Sequence, residues 1–185
     1  MSSRFDKEKF ARDGDNRLLW RMNPRKLEAE AWRDTLLAVT GELERTTGGP
    51  PSDAIWNSKR RTLYISISRS GDVFESDGFL RLFDLPSPAA TSEKRVSSTV
   101  PQQYLFMMNS SFMKARSEAL GNQFREMPGE LSLRITTAYQ RLYSRSPEAA
   151  EIDLAHDWLG ANPAPERWHR YAQVLLSAHE LIQIQ

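Results

Sequence analysis

Cysteine is missing from this chain altogether. That absence excludes disulfides, thiolate zinc sites, iron–sulfur clusters, cysteine nucleophiles and the Cys-x-x-Cys-His attachment of c-type haem. No apolar run approaches the ~20 residues that a membrane-spanning helix requires. The opening Met1-Ser2-Ser3-Arg4-Phe5-Asp6-Lys7 lacks the apolar centre of a signal peptide. Read literally, the chain is soluble and not exported. An excess of one charge is absent too. Lys and Arg number 25 against 24 Asp and Glu, a net charge of +1. Residues 1–95 hold 17 basic and 15 acidic side chains and the remainder 8 and 9. With no basic half, nucleic acid is not the expected partner, because that affinity rests on neutralised phosphates.

Motifs of common chemistries are equally scarce. There is no Gly-x-Ser-x-Gly elbow and no His-Glu-x-x-His pair. Thr47-Gly48-Gly49-Pro50 lacks the Lys-Ser/Thr that would make a glycine-rich turn a phosphate loop. Asp13-Gly14-Asp15-Asn16 clusters hard oxygens as calcium loops do, but without the later glycine and closing glutamate, so helix capping is the favoured role. His156, beside Asp157 and three residues after Asp153, has the makings of a base or metal ligand, yet an exposed i, i+3 pair is the commoner outcome. His169 and His179 lie ten residues apart on one expected helix, about 15 Å at 1.5 Å per residue, too far to chelate one ion. His179 borders the apolar stripe and is expected to be partly buried and hydrogen-bonded. Lys59-Arg60-Arg61 reads as a solvated entry to a strand. The five tryptophans and five tyrosines mostly fall on apolar stripes, which favours core packing over a sugar-stacking surface.

What is present is helical periodicity. At 185 residues the chain is long enough for one domain, burying roughly 70% of its unfolded surface. Residues 2–17 read as a loosely packed, charged lead-in, with Asp15-Asn16 capping a short helical turn through Leu18, Leu19 and Trp20. Residues 24–43 read as a helix capped by Asn23, with Pro24 first and Ala29, Trp32, Leu36, Val39 and Leu43 as its stripe. Arg25, Lys26, Glu28, Glu30, Arg33 and Asp34 occupy the rest of that helix. Residues 61–68 alternate like a strand, though no partner strand is evident. Residues 69–95 read as a long ordered surface loop with a helical turn.

Helical pattern resumes at Thr99, where Thr99-Val100-Pro101-Gln102 has the form of a capping box, and continues to about Phe124. Leu131, Ile135, Ala138 and Leu142 mark the next helix, Ser146-Pro147-Glu148 opens another, and Trp168 to Ile182 mark the last. Short connections favour antiparallel packing. The expected fold is mainly α, an irregular helical bundle with one short β-strand or hairpin and a long loop insertion. It is either a single domain over 1–185 or the C-terminal part of a larger one, divided into 1–45, 46–98 and 99–185.

Several segments together resemble a known family. Residues 15–30, Arg33-Asp34-Thr35-Leu36-Leu37-Ala38-Val39-Thr40-Gly41, Gly48-Gly49-Pro50, Arg60-Arg61-Thr62-Leu63-Tyr64, Phe83-Asp84 with Pro86 and Pro88, and residues 95–109 follow its pattern in order, and residues 175–181 are similar to its usual ending. The chain is thereby identified as a member of the DUF1553 domain of unknown function, which ends planctomycete secreted proteins, many with a cytochrome c domain upstream. The resemblance implies a periplasmic or extracellular setting, neighbours carrying haem c, and no cofactor in this chain. It brings no established activity. In the family, a stretch like Ser2-Ser3-Arg4 follows further helical sequence, which implies an N-terminally truncated member. His179 replaces the usual asparagine and Leu181 the usual phenylalanine.

These observations lead to a noncatalytic helical module that packs against other domains of an exported protein, with an exposed apolar patch where they dock. The alternative is a binding or catalytic role in polysaccharide breakdown, at a site formed by the 69–95 loop with Arg60, Arg61, Gln102, Gln103 and Asn109.

Overall fold

The charged lead-in contains a helix of its own. In the computed structural model, which describes residues 5–70 and 74–184, the Asp6 carboxylate accepts from the backbone N–H groups of Glu8 (3.0 Å) and Lys9 (3.1 Å). That cap starts α1 (Lys7–Arg12). Residues 2–4 and 71–73, included above in the lead-in and the long loop, lie outside the described residues. The helical turn expected through Leu18–Trp20 is replaced by tight turns, with Asn16 and Leu19 both at positive φ.

The helix expected from Pro24 begins five residues later. Arg25–Lys26 instead forms β1, antiparallel to β2 (Gln183–Ile184) at the far end of the chain, and the Leu27 N–H continues the pairing to the Ile182 carbonyl. Asn23 is not a cap; its side-chain oxygen accepts from Asn16. A distant strand has outcompeted a good local helix start. α2 (Ala29–Val39) then buries Ala29, Trp32 and Leu36 of its expected stripe, and Arg33 and Leu37 as well.

The strand expected over 61–68 does not form. Thr62–Tyr64 is a single 3-10 turn, and the segment makes only isolated bridges, Glu44 with Arg60 and Ser52 with Ile65. The alternation also faces the unexpected way, since Thr62 is buried and Leu63 exposed. The 69–95 stretch is more than a surface loop: α3 (Glu75–Leu82) lies inside it and sinks Phe79, Leu80 and, just beyond, Phe83 into the core. The Phe83 ring stacks on Trp32 at 4.3 Å, and Phe79, Phe106, Trp56 and Phe112 complete an aromatic core from five parts of the chain.

The helix expected from Thr99 to Phe124 is two. α4 (Pro101–Asn109) starts at Val100 with Pro101 first and no side-chain cap, so the Thr99 capping box is not made. Ser110 ends α4 and, accepting from Met113 N–H, caps α5 (Ser111–Glu126). α6 (Leu131–Tyr143), α7 (Ala149–Leu159) and α8 (Pro165–Ser177) match the expected periodicity. The last expected helix breaks at Ala178 into α8 and α9 (His179–Ile182). α5 and α8 are the main pair of the bundle. Their close approach depends on Gly121, where a Cβ would lie 2.9 Å from Trp168 and His169 backbone atoms. Among the described residues the fold is thus mainly α, with one small sheet where Arg25–Lys26 meets Gln183–Ile184.

Candidate functional site

Two buried cations organise the region where a site was expected. Arg33 is 1% exposed. Its guanidinium donates to the carbonyls of Arg60 (3.0 Å), Ile55 (2.8 Å) and Ser58 (2.5 Å) and to the Thr62 hydroxyl (3.1 Å). Burial lowers its pKa to about 10, only partly offset by Asp34, so it stays charged at neutral pH. The 55–62 segment is therefore wrapped around one side chain of α2. Lys26, its side chain only 10% exposed, spends its three N–H donors on Asp84 (3.1 Å), the Ser98 carbonyl (2.6 Å) and Gln103 (3.0 Å). Burial pushes the Asp84 carboxyl up, but hydrogen bonds from Ser98 and Lys26 outweigh it and hold the group below the usual carboxylate range. Asp84 also sits at a φ of 69°. Nothing local in the sequence marks Lys26 or Asp84 for this pairing.

The five residues expected at a site are placed apart and mostly in structural roles. Arg60 covers the Tyr64 ring at 4.2 Å and donates to the carbonyls of Pro50 (2.8 Å) and Gly48. Arg61 is exposed, 3.5 Å from Asp34. Gln103 is buried, receiving Lys26 and donating to the Leu82 carbonyl (2.9 Å). Gln102 is exposed on the outer side of α4. Asn109 folds back on the Leu105 carbonyl at 3.0 Å. The structure brings Arg60 and Arg61 near α2, and Gln102, Gln103 and Asn109 onto α4, without a shared cavity.

The 69–95 stretch does border the roomiest concavity described, an open groove of about 660 Å³. Its charged lining is Glu30, Arg69, Lys94 and Arg95, over Ile67, Leu85, Pro86 and Pro88. None of the five expected residues lines it. Arg95 is clamped by both oxygens of Glu30 (2.7 and 2.8 Å), which strap the loop to α2. A smaller recess of about 130 Å³ adjoins it across Arg95, reaching Lys26 and Asp84.

The remaining polar candidates are tied into the fold. The Asp13 carboxylate accepts from the Arg17 (2.9 Å) and Leu18 (2.7 Å) N–H groups, its carbonyl receives Trp20 Nε1 (2.8 Å), and Asn16 brackets the Arg21 backbone. His156 Nε2 pairs with Ser132 Oγ at 2.8 Å rather than with a neighbouring aspartate, and His169 with Asn122 at 3.0 Å. His179 is exposed. Among the described residues no group of three or more His, Asp or Glu side chains is placed to hold a metal ion, and no helix is long and apolar enough to cross a membrane.

Apolar groups, by contrast, are left outside. The turns held by Asp13 and Asn16 project Leu18 (83% exposed) and Leu19 (64%) into solvent, next to a cluster of Phe5, Phe10 and Trp20 under Arg21. On α4, Tyr104, Leu105 and Met108 are also exposed. Leu105 and Met108 are legible in the sequence, but their periodicity there reads as part of the apolar face continued by Phe112 and Leu120.

Comparison with known proteins adds a family and no activity. The family model described as "Protein of unknown function (DUF1553)" matches residues 1–159. The match ends with α7, so the resemblance over residues 175–181 lies beyond it. None of the curated proteins and none of the solved structures compared matches the chain.

Proposed function

The chain belongs to the DUF1553 family of proteins of unknown function, and from that premise we propose that it is a noncatalytic interaction module, docking other domains of an exported protein. The observation that carries this reading is the Leu18–Leu19 hook. Two adjacent leucines stand in water on a backbone whose N–H groups are already bonded: those of Arg17 and Leu18 to Asp13, that of Leu19 to Asn16 (3.2 Å), and that of Arg21 to the Asn16 side chain (3.2 Å). Leu19 is held at a φ of 56°, a left-handed conformation that disfavours a side chain. Strain of this kind gathers where a surface is kept ready for a partner. An apolar pair so preorganised loses little entropy on docking. Arg17 and Arg21 flank it, which suits a partner cleft with an acidic rim. The periplasmic or extracellular setting rests on the resemblance alone.

A specific observation favours the second reading, polysaccharide binding. The 660 Å³ groove along the 69–95 stretch has the open shape of a chain-binding cleft, with Arg69 and Lys94 to meet polar or acidic groups. It lacks an aromatic platform for sugar rings, which places this reading second.

Thermal unfolding of the purified chain, alone and with divalent metals and neutral or sulfated oligosaccharides, separates the two. The interaction-module reading expects one cooperative melt and no shift with any ligand. A ligand at a hundredfold excess over its Kd stabilises by about 2.7 kcal/mol. A shift of that size with one sugar class, abolished by Arg69→Ala with Lys94→Ala, would transfer the function to the groove.

A further inference from the structure

The chain is 26% charged, yet no residue between Arg95 and Lys114 carries a charge. That stretch includes all of α4. Its inner face is fixed by Gln103, Met107 and Phe106, which enter the Lys26 clamp and the core. Its outer face exposes Gln102, Tyr104, Leu105 (57%), Met108 (61%) and Asn109. A solvated surface helix ordinarily carries charge on its outer face. Depletion of charge together with Tyr and Met is instead the composition of an interface centre.

The chemistry of the face restricts what covers it. A charged partner group buried against α4 would find no counter-ion on the helix itself, and an unpaired buried charge is strongly unfavourable. The partner surface must be uncharged as well. The other exposed apolar side chains on long helices of this chain have charged, exposed neighbours: Leu154 and Trp158 on α7 lie beside Asp153 and Asp157, Val174 on α8 is one turn from Arg170, and Leu133 on α6 is one turn from Glu130. Among the described helical faces, the one that matches α4 is α4 itself.

We propose that the outer face of α4 is a self-association surface, pairing with α4 of a second copy about a two-fold axis near Leu105 and Met108. A two-fold interface needs a patch complementary to itself, and a neutral apolar stripe meets that condition with no like-charge repulsion. α4 is nine residues long, about 13 Å at 1.5 Å per residue. The interface is therefore below about 1,200 Å² and the dimer weak and reversible. The proposal goes beyond the docking module described above and uses a different surface. A ligand shift in the melt would end the module reading and leave the dimer untouched.

The test is sedimentation velocity of the full chain from about 10 μM to about 1 mM, a span suited to the weak end of protein association. The expected result is a monomer–dimer equilibrium, with Leu105→Glu or Met108→Glu raising Kd at least about tenfold while the melting temperature is unchanged, because both side chains are already exposed. Leu154→Glu leaves Kd as it was. The absence of native cysteine supplies a second readout: Leu105→Cys gives a disulfide-linked dimer on mild oxidation, and Leu154→Cys does not. A monomer throughout the range, a dimer indifferent to Leu105→Glu, or equal cross-linking from both cysteines would overturn the proposal.

Discussion

Arg33 stands next to Trp32 on α2, and both are buried, so this helix is covered on two sides. One side is the aromatic core; the other is the 55–62 segment, whose carbonyls converge on the guanidinium. Truncation to alanine strands three backbone carbonyls in the interior, each costing about 1–3 kcal/mol if left unbonded. Arg33→Ala is therefore expected to lose about 3 kcal/mol or more in urea denaturation. Arg33→Lys should recover less than half, because one ammonium cannot span both branches of the fork. A loss under about 1 kcal/mol would mean these bonds are not made in solution. Leu19 poses the opposite case. At a φ of 56° with its side chain in water, it contributes strain and little packing. Leu19→Gly is expected to stabilise by about 1 kcal/mol, seen as a higher urea midpoint with an unchanged slope. A lower midpoint would show that the leucine packs against something in the free chain.

Helix pairing is set at a few positions. α5 and α8 can approach because residue 121 has no side chain, and two of the three atoms a Cβ would strike belong to the α8 backbone, which cannot swing aside. Alanine improves helix propensity by up to ~1 kcal/mol, but overpacking of this kind costs about 1–3 kcal/mol and more when backbone must move. Gly121→Ala is thus expected to be net destabilising by about 1–2 kcal/mol, checked by thermal unfolding. A stabilised variant would mean that the two helices sit farther apart. The other end of the bundle is fixed electrostatically. Arg145 lies over the Tyr139 and Tyr143 rings and reaches both Glu151 of α7 and Glu180 of α9 through paired bonds of 2.7–2.9 Å. Glu151 also accepts from the Glu148 N–H at the start of α7, so one carboxylate serves as cap and tie.

Across the whole molecule, three ties share a pH dependence: Arg95–Glu30 and Lys26–Asp84 join segments distant in sequence, and Arg145–Glu151 links the turn after α6 to α7. Hydrogen bonds from Arg145 hold the Glu151 carboxyl below the usual range. Burial pushes Glu30 and Asp84 up, but bonds from Arg95, and from Ser98 and Lys26, outweigh it and leave both below as well. A carboxylate whose folded-state pKa is depressed adds stability above its unfolded pKa of about 4, and that stability is lost as pH falls through the folded value. The urea midpoint is expected to be level near neutrality and to drop below about pH 4, with a shallower drop in Arg145→Ala. An acid limb identical in that variant would remove Glu151 from the account.

The sequence alone determined what depends on neighbours along the chain. The periodicity of residues 131–159 predicted α6 and α7 because the apolar stripe and the short turn between them are local. The mainly helical class follows from the same signal, and the absence of cysteine and of the common catalytic spacings narrowed the chemistry. Tertiary structure decided the rest, for a single reason: a polar group's role depends on what meets it, and here the partner is far away. Pro24 began a plausible helix until Arg25–Lys26 met β2 at the other end of the chain. The alternating 61–68 segment found no ladder, so its backbone turned toward Arg33 and Asp34 instead. Gln103 read as a candidate binding-site residue and became the buried acceptor for Lys26, 77 positions away. Leu105 and Met108 read as core because local periodicity counts apolar residues without knowing which side will be covered. Only the packed structure shows that α4 turns Gln103 inward and leaves those two facing water.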